Sequence, residues 1–319
     1  MSPIGVLRLD GVPAARLASL SRAALDSSLG QSAELLLATV SDEAVVLGAL
    51  QRASEVAGDL DASSALLRRG SCGAEVRVGT GSLWMQLSLE RSDALVDCVP
   101  SRLLNRYVRP VLRALTKVGA LAHYFDRDWI SVAKRPVGSI AFAHDTRTKR
   151  ALVEIVIAVR SPFALRARPS YLGKPPATLQ ELGIDVDLTR LADAIAEAHA
   201  EAYGRTLLEL PPPASLSSPP LTVADLRSEL PWTATRSEAI GVVAAGRDRE
   251  GRIRVGGELM ASRDAIERLE AAIGDAAEDP SRLDHAVDAL AASDVAMLGV
   301  RDLRSLRDVI GEAAARPPQ

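Results

Sequence analysis

The stretch Leu67–Leu83 reads LRRGSCGAEVRVGTGSL. It opens on an arginine pair, passes through small residues, alternates Val76 and Val78 around Arg77, and ends in a second glycine cluster, Gly79-Thr80-Gly81-Ser82. Small residues let a backbone approach a ligand closely, and the free N–H groups of such a turn can hold an anion. The same residues also suit two strands joined by glycine turns. The motifs on either side bear on the choice.

Upstream, apolar residues at helical intervals predict a helix over Ala14–Leu29. Glu34–Thr39 and Ala44–Leu47 read as strands around the turn Ser41-Asp42-Glu43, Ser54–Leu60 as a short helix, and Leu66–Arg69 as a strand. Downstream, Ser82–Leu89 alternates as a strand with one buried face. Pro100–Gly119 carries a helical stripe from Leu103 to Val118, with a kink expected at Pro110 and a stop at Gly119. Asp128–Ala133 reads as a strand broken by Pro136–Ser139 and resumed over Ser139–His144. Arg150–Val159 is the strongest strand signal, and Leu188–Tyr203 is a helix closed by Gly204.

Leu210–Pro220 holds five prolines without periodicity and reads as an extended linker. Beyond it, Thr222–Glu229 is a capped short helix, Glu238–Ala245 and Arg252–Glu258 a hairpin across Asp248–Gly251, and Ser262–Ile273, Ser281–Leu290 and Val300–Ala313 helices.

The 319 residues, 47% hydrophobic and 25% charged, bury a sizeable core without staples and suggest one large and one small domain. A net charge of −3 and 3% aromatics argue against nucleic acid or an anionic membrane as partner. The N-terminus lacks a secretory pattern, no apolar run spans a bilayer, and Cys72 and Cys98 make no disulfide framework, so a cytoplasmic chain is expected. The four histidines lack metal-ligand spacing, and no metal site is expected from them.

Strands around a glycine-rich turn, a long helix, Asp128, and a lysine-containing turn ending in Gly138: this order resembles the lipoate–protein ligase family of the biotin and lipoate ligase group. Its signature, RRxSGGGAVxHDxGNL, runs without a gap along Arg68–Leu83. Arg68, Arg69, Ser71, Gly73, Val76, Gly81 and Leu83 match, while Cys72, Ala74, Val78 and Gly79 depart from it. Upstream, Gly48 and Gln51 fit the family's strand-end pattern, where Ala49 replaces an arginine. Downstream, Asp128 and Gly138 keep the family spacing, with Arg127 where the family has asparagine.

The resemblance implies an α+β protein: a mixed sheet packed with helices (1–208), the linker (209–220) and a small α+β accessory domain (221–319). It implies ATP- and Mg²⁺-dependent activation of lipoate or a similar acid to an acyl-adenylate. Transfer then goes to a lysine of a carrier domain, of the 2-oxoacid dehydrogenase E2 or glycine-cleavage H type. The alternative is a degenerate, non-catalytic member that binds a lipoyl carrier or partner protein. The implied catalytic cation is Lys134 or Arg135, since strict register favours Arg135 and places Lys134 one residue early. Arg69, Ser71, Cys72, Gly73, Gly81, Asp128 and Gly138 are the implied substrate and nucleotide contacts. Two further readings stay open. Cys72 is a nucleophile or a small buried residue. His144-Asp145 is a general-base pair or a hairpin turn.

Overall fold

The computed structural model describes residues 2–60, 65–212, 226, 229–239, 241–274, 280–291, 297–298 and 303–316. In chain order the N-terminal elements are β1 (Ile4–Val12), α1 (Ala14–Ala23), β2 (Ala33–Val40), β3 (Ala44–Leu47), β4 (Ala65–Arg68), β5 (Val76–Val78), β6 (Ser82–Leu89), α2 (Leu103–Tyr107), α3 (Arg109–Lys117), β7 (Ala122–His123), β8 (Trp129–Val132), β9 (Arg135–His144), β10 (Ala151–Ala158), α4 (Leu188–Tyr203) and β11 (Leu207–Glu209). Eight of these strands form a mixed sheet in the order β11-β1-β2-β6-β10-β9-β8-β7, and β4-β3-β5 form a small second sheet. The architecture is α+β, as expected.

The large sheet is covered on both faces. Leu83, Met85 and Leu87 of β6 pack into one core with α2, α3 and α4, while Trp84 packs into another with α1 and the small sheet. So β6 is not the half-exposed strand its alternation suggested. It is buried almost throughout, because helices and the small sheet close both sides of the pleat. Between the layers lies a buried polar network. Glu154 on β10 accepts from Trp84 Nε1 (2.9 Å) and Ser21 Oγ (2.7 Å), and Ser21 Oγ accepts from Gly70 N (2.7 Å).

Several boundaries differ from the sequence reading. α1 stops at Ala23 because the chain turns there, and Arg150 donates to the carbonyls of Leu25 and Ser27. Ser54–Leu60 forms two 3₁₀ turns, Ala53–Glu55 and Ala57–Asp59. Pro110 does not kink one helix. It sits in the first turn of α3, where a missing N–H costs nothing, and α2 and α3 meet at Val108. Nor does Pro136 break a strand. β8 and β9 form a hairpin across Ala133-Lys134, both at positive φ, and a register shift at Ile130/Ser131 accommodates the proline.

The C-terminal elements are β12 (Ala234–Ser237), β13 (Val242–Arg247), β14 (Ile253–Gly257), β15 (Met260–Ala261), α5 (Arg263–Gly274), α6 (Pro280–Ala291), β16 (Met297–Leu298) and α7 (Leu303–Ala315). The sheet β12-β13-β14 packs with α5, α6 and α7 around its own core of Val243, Val255, Leu269, Val287 and Ile310. Most of the proline-rich segment and the Thr222–Glu229 helix lie outside the described residues. Among the described residues no helix is long and apolar enough to cross a membrane.

Candidate functional site

The glycine loop joins β4 to β5 and presses on its neighbours. A Cβ on Gly48 would collide with the carbonyl oxygen of Gly73, and one on Gly70 with that of Ser21. Ala49 N donates to Ser71 O at 2.8 Å, and Gly73 holds φ +84°. Arg69 shapes the loop from inside. Its guanidinium donates to the carbonyls of Cys72 (2.9 Å) and Ala74 (2.7 Å) and to Ser71 Oγ (2.7 Å), with Glu154 at 4.0 Å. It is buried. Burial pulls its pKa down, and Glu154 pushes it back up. Arg69 is therefore a staple of the loop, with four of its five N–H donors on protein oxygens, Val46 O at 3.4 Å included.

Cys72 is buried beside it, its Sγ 3.5 Å from Ala261 O. Burial raises the thiol pKa, and the Ala261 bond and Arg69 only partly oppose this. The geometry is that of an inert buried thiol rather than a nucleophile.

A second cluster stands between this loop and the C-terminal elements. Arg168, buried, bridges Asp128 Oδ2 (3.1 Å) and Glu258 Oε2 (2.6 Å). Arg166 lies 3.4 Å from Glu75 and 3.7 Å from Glu258, and Glu75 accepts from Gln51 Nε2 at 2.9 Å. Burial raises the pKa of Asp128 and of Glu258, with Arg168 opposing in both. Burial also works against the Arg168 charge, but Glu258 and Asp128 outweigh it and hold its pKa above the ordinary value. Sequence reasoning found Asp128, but missed Arg166, Arg168, Glu75 and Glu258. Their only signal was charge within otherwise buried segments.

The other implied residues lie apart. Lys134 is exposed at the tip of the β8–β9 turn, with φ +65°. Arg135 donates to the carbonyls of Pro175 (3.1 Å) and Pro176 (2.7 Å). Among the described residues neither makes a hydrogen bond or ion pair to the Arg69 loop. Gly138 has a packing role: a Cβ there would stand 2.5 Å from Val156 O across the sheet. Gly81, at φ +104°, forms the turn into β6. His144 and Asp145 do not pair as acid and base. His144 Nδ1 is 2.8 Å from Ser262 Oγ, and Asp145 binds Arg147 and Arg263.

Across the glycine loop runs a strap, residues 257–264. Gly257 N donates to Leu50 O (2.8 Å), and Gly73 N donates to Leu259 O (3.3 Å). Met260 is fully buried and joins the N-terminal core alongside Cys72, Ile140 and Ala141. Beyond it, Asp264 accepts from Thr146 N at 2.8 Å and Arg263 pairs with Asp26 at 2.9 Å. Nothing in the alternation of this region announced that Met260 belongs to the other half's core.

In this arrangement little cationic capacity is turned toward a nucleotide with its magnesium. Arg69 gives four of its five N–H groups to protein oxygens, Asp128 Oδ2 is paired with Arg168, and Lys134 is exposed at its turn. Among the described residues no group of three or more His, Cys, Asp or Glu side chains is placed to hold a metal ion.

No known sequence-family profile matches the chain, and no curated protein matches it. Solved structures do. A bipartite lipoate protein ligase from Thermoplasma acidophilum, solved in a study of its lipoylation system with its E2 lipoyl domain, shares 16% identity. It aligns over 66% of this chain and 87% of its own with TM-score 0.54. Lipoate-protein ligase A bound with ATP gives 17% identity, 65% and 88% coverage and TM-score 0.52. LipL1 of P. falciparum in complex with lipoate gives 12% identity, 96% and 99% coverage and TM-score 0.62. The chain has the biotin/lipoate ligase-like fold. The likeness to LipL1 takes in the C-terminal elements as well as the large sheet.

Proposed function

We propose that this chain is a non-catalytic relative of the lipoate ligases that acts by binding a lipoyl-type carrier domain or another partner protein. The observation that carries the reading is the strap. Met260 fills the space over Gly73, where the resemblance would have the ligand lie, and Arg69 turns both Nη2 donors onto the loop's own carbonyls and its Nε onto Ser71. Among the described residues, Met260 occupies the place over Gly73 that an acid chain would need. The fold relation to a ligase studied with its E2 lipoyl domain supports a carrier domain as partner.

The test mixes the purified chain with ATP, Mg²⁺ and lipoate or octanoate, with and without an apo-lipoyl domain. No pyrophosphate release is expected, and calorimetry is expected to register binding of the apo domain. Pyrophosphate release above the blank overturns the non-catalytic part; absence of binding overturns the partner part.

A second reading keeps ATP-dependent activation of lipoate. It is favoured by the matches of Arg68, Arg69, Ser71 and Gly73 in one ungapped register. It requires the strap to leave Gly73 before ligands enter. If release is seen, Lys134→Ala and Arg135→Ala, made separately, identify the cation that carries it.

A further inference from the structure

The exposed side of α2 and α3 carries an unused charge pattern. Arg102, Arg106, Arg109 and Arg113 lie at spacings of four, three and four residues from the 3₁₀ turn Pro100–Arg102 through α2 and α3. That spacing puts them on one helical stripe. The opposite side of the same helices, Leu103, Leu104, Tyr107, Val111 and Leu115, is in the core. Arg109 donates to Asn105 Oδ1 at 3.1 Å, whereas the Arg102, Arg106 and Arg113 guanidiniums make no hydrogen bond or ion pair among the described residues. Elsewhere in the chain arginines are mostly paired with carboxylates or carbonyls. A row of like charges left without counter-charges is unfavourable in isolation and stands ready for an acidic partner.

Beside the stripe opens a cavity of about 240 Å³. Leu103, Leu104, Tyr124, Phe142 and Met297 supply its apolar walls, and Arg102 stands at its rim. Large apolar side chains flank it in the open: Val99 is 57% exposed and Phe125 59%. A pocket with apolar walls, one arginine at its rim and a ridge of three more arginines along the adjoining helices suits one aliphatic or aromatic anchor of a segment whose other residues are acidic. A nucleic acid suits it less. The chain is net negative, the flanks are apolar, and Asp126 shares the cavity wall.

We propose that the Arg102–Arg113 ridge and its cavity form a docking surface for an acidic amphipathic segment of a partner protein, which inserts an apolar side chain between Leu103 and Phe142. The proposal deepens the partner-binding reading and rests on it for the existence of a partner.

The probe is a fluorescein-labelled helical peptide of Glu with Leu at every third and fourth position, followed by anisotropy at low and high salt. Binding that weakens with salt is expected. The Arg102→Glu/Arg113→Glu double variant, at two exposed positions, should lose roughly tenfold or more in affinity with unchanged circular dichroism. Replacing the peptide's leucines by serine should also abolish binding. Equal affinity of the double variant, no binding at all, or displacement of the peptide by duplex DNA at equal concentration overturns the ridge. Binding of an apo-lipoyl domain that the double variant leaves unchanged overturns the ridge alone and leaves the partner-binding reading standing. Pyrophosphate release overturns the non-catalytic reading and leaves the ridge standing.

Discussion

Met260 lies against Gly73: a Cβ on the glycine would sit 3.4 Å from both Cγ and Sδ of the methionine. The contact joins the C-terminal half to the loop that most resembles a ligand-binding element, and it makes the second half part of the first half's core. Met260→Ala should lower stability by about 2–4 kcal/mol, since a buried methionine leaves a cavity behind. The same cavity should admit a chain acid. Octanoate is expected to raise the melting temperature of the variant and not that of the unmutated chain, because only a ligand that binds the folded state shifts the midpoint. If octanoate stabilises both equally, Met260 is not what closes the cleft.

Arg69 is the second test of the loop. Its alanine variant takes the Arg69 donors from the buried Cys72 and Ala74 carbonyls and leaves buried Glu154, still hydrogen-bonded to Trp84 and Ser21, without its counter-charge. A loss of about 3–5 kcal/mol is expected in urea unfolding, the range for breaking one side of a buried ion pair. Arg69→Lys should recover only part of this, because one ammonium cannot span both carbonyls and Ser71. Near-native stability of Arg69→Ala would mean that the guanidinium is held in reserve for a ligand.

Glu55 links the halves electrostatically. Its Oε1 accepts from Arg52 N and Trp232 Nε1, both at 2.7 Å, and Arg52 lies 3.7 Å from the Trp232 ring. Burial pushes its pKa up to about 7 from 4.5. The folded chain therefore keeps a proton that the unfolded chain releases between those values, and the Glu55 contribution to stability falls as pH rises from 4.5 to 7. His199 runs the other way. Burial lowers its pKa to about 4 from 6.5, so its contribution is lost as pH falls through that window. The two oppose each other in mildly acid solution. Subtracting a variant isolates one: Glu55→Gln, a mimic of the protonated acid, should match the parent near pH 4.5 and exceed it above pH 7, by an amount on the order of 1–3 kcal/mol. An equal difference at both pH values would place the origin of any effect elsewhere than in the proton.

What the sequence made legible follows from local rules. β3, β6, β14 and the end of α4 at Gly204 are set by short-range apolar patterning and turn residues and match their expected bounds within a residue or two, while β13 begins four residues later than its pattern suggests. β1, β11 and β12 were not read. β11 is three residues long and is defined by its parallel pairing with β1, some two hundred positions away. The site divides in the same manner. The Arg68–Gly73 motif was visible because it is contiguous, while Arg168, Glu258 and Met260 act there only through tertiary approach. The visible residues also carry structural contacts that the motif did not announce: Arg69 holds the loop's carbonyls, Gly138 clears Val156 O across the sheet, and Asp128 pairs with buried Arg168.

The thiols report on the strap. Cys72 is covered by Ala261, and burial raises its pKa; the Cys98 thiol is likewise pushed up to about 11. Thiol–disulfide exchange needs both thiolate and access. In the native chain at pH 8, Ellman's reagent should therefore label both cysteines slowly, and in denaturant both at once. The Cys98→Ser variant isolates Cys72, whose labelling then requires residues 259–261 to lift. In that background Met260→Ala should speed labelling more than it speeds global unfolding, because it weakens the strap's hold without touching the sheet. A tight partner that stabilises the closed arrangement should slow labelling in proportion to its occupancy. If Cys72 reacts at the rate of a free thiol in the unmutated chain, the strap is open in solution and the cleft over Gly73 is available to a ligand.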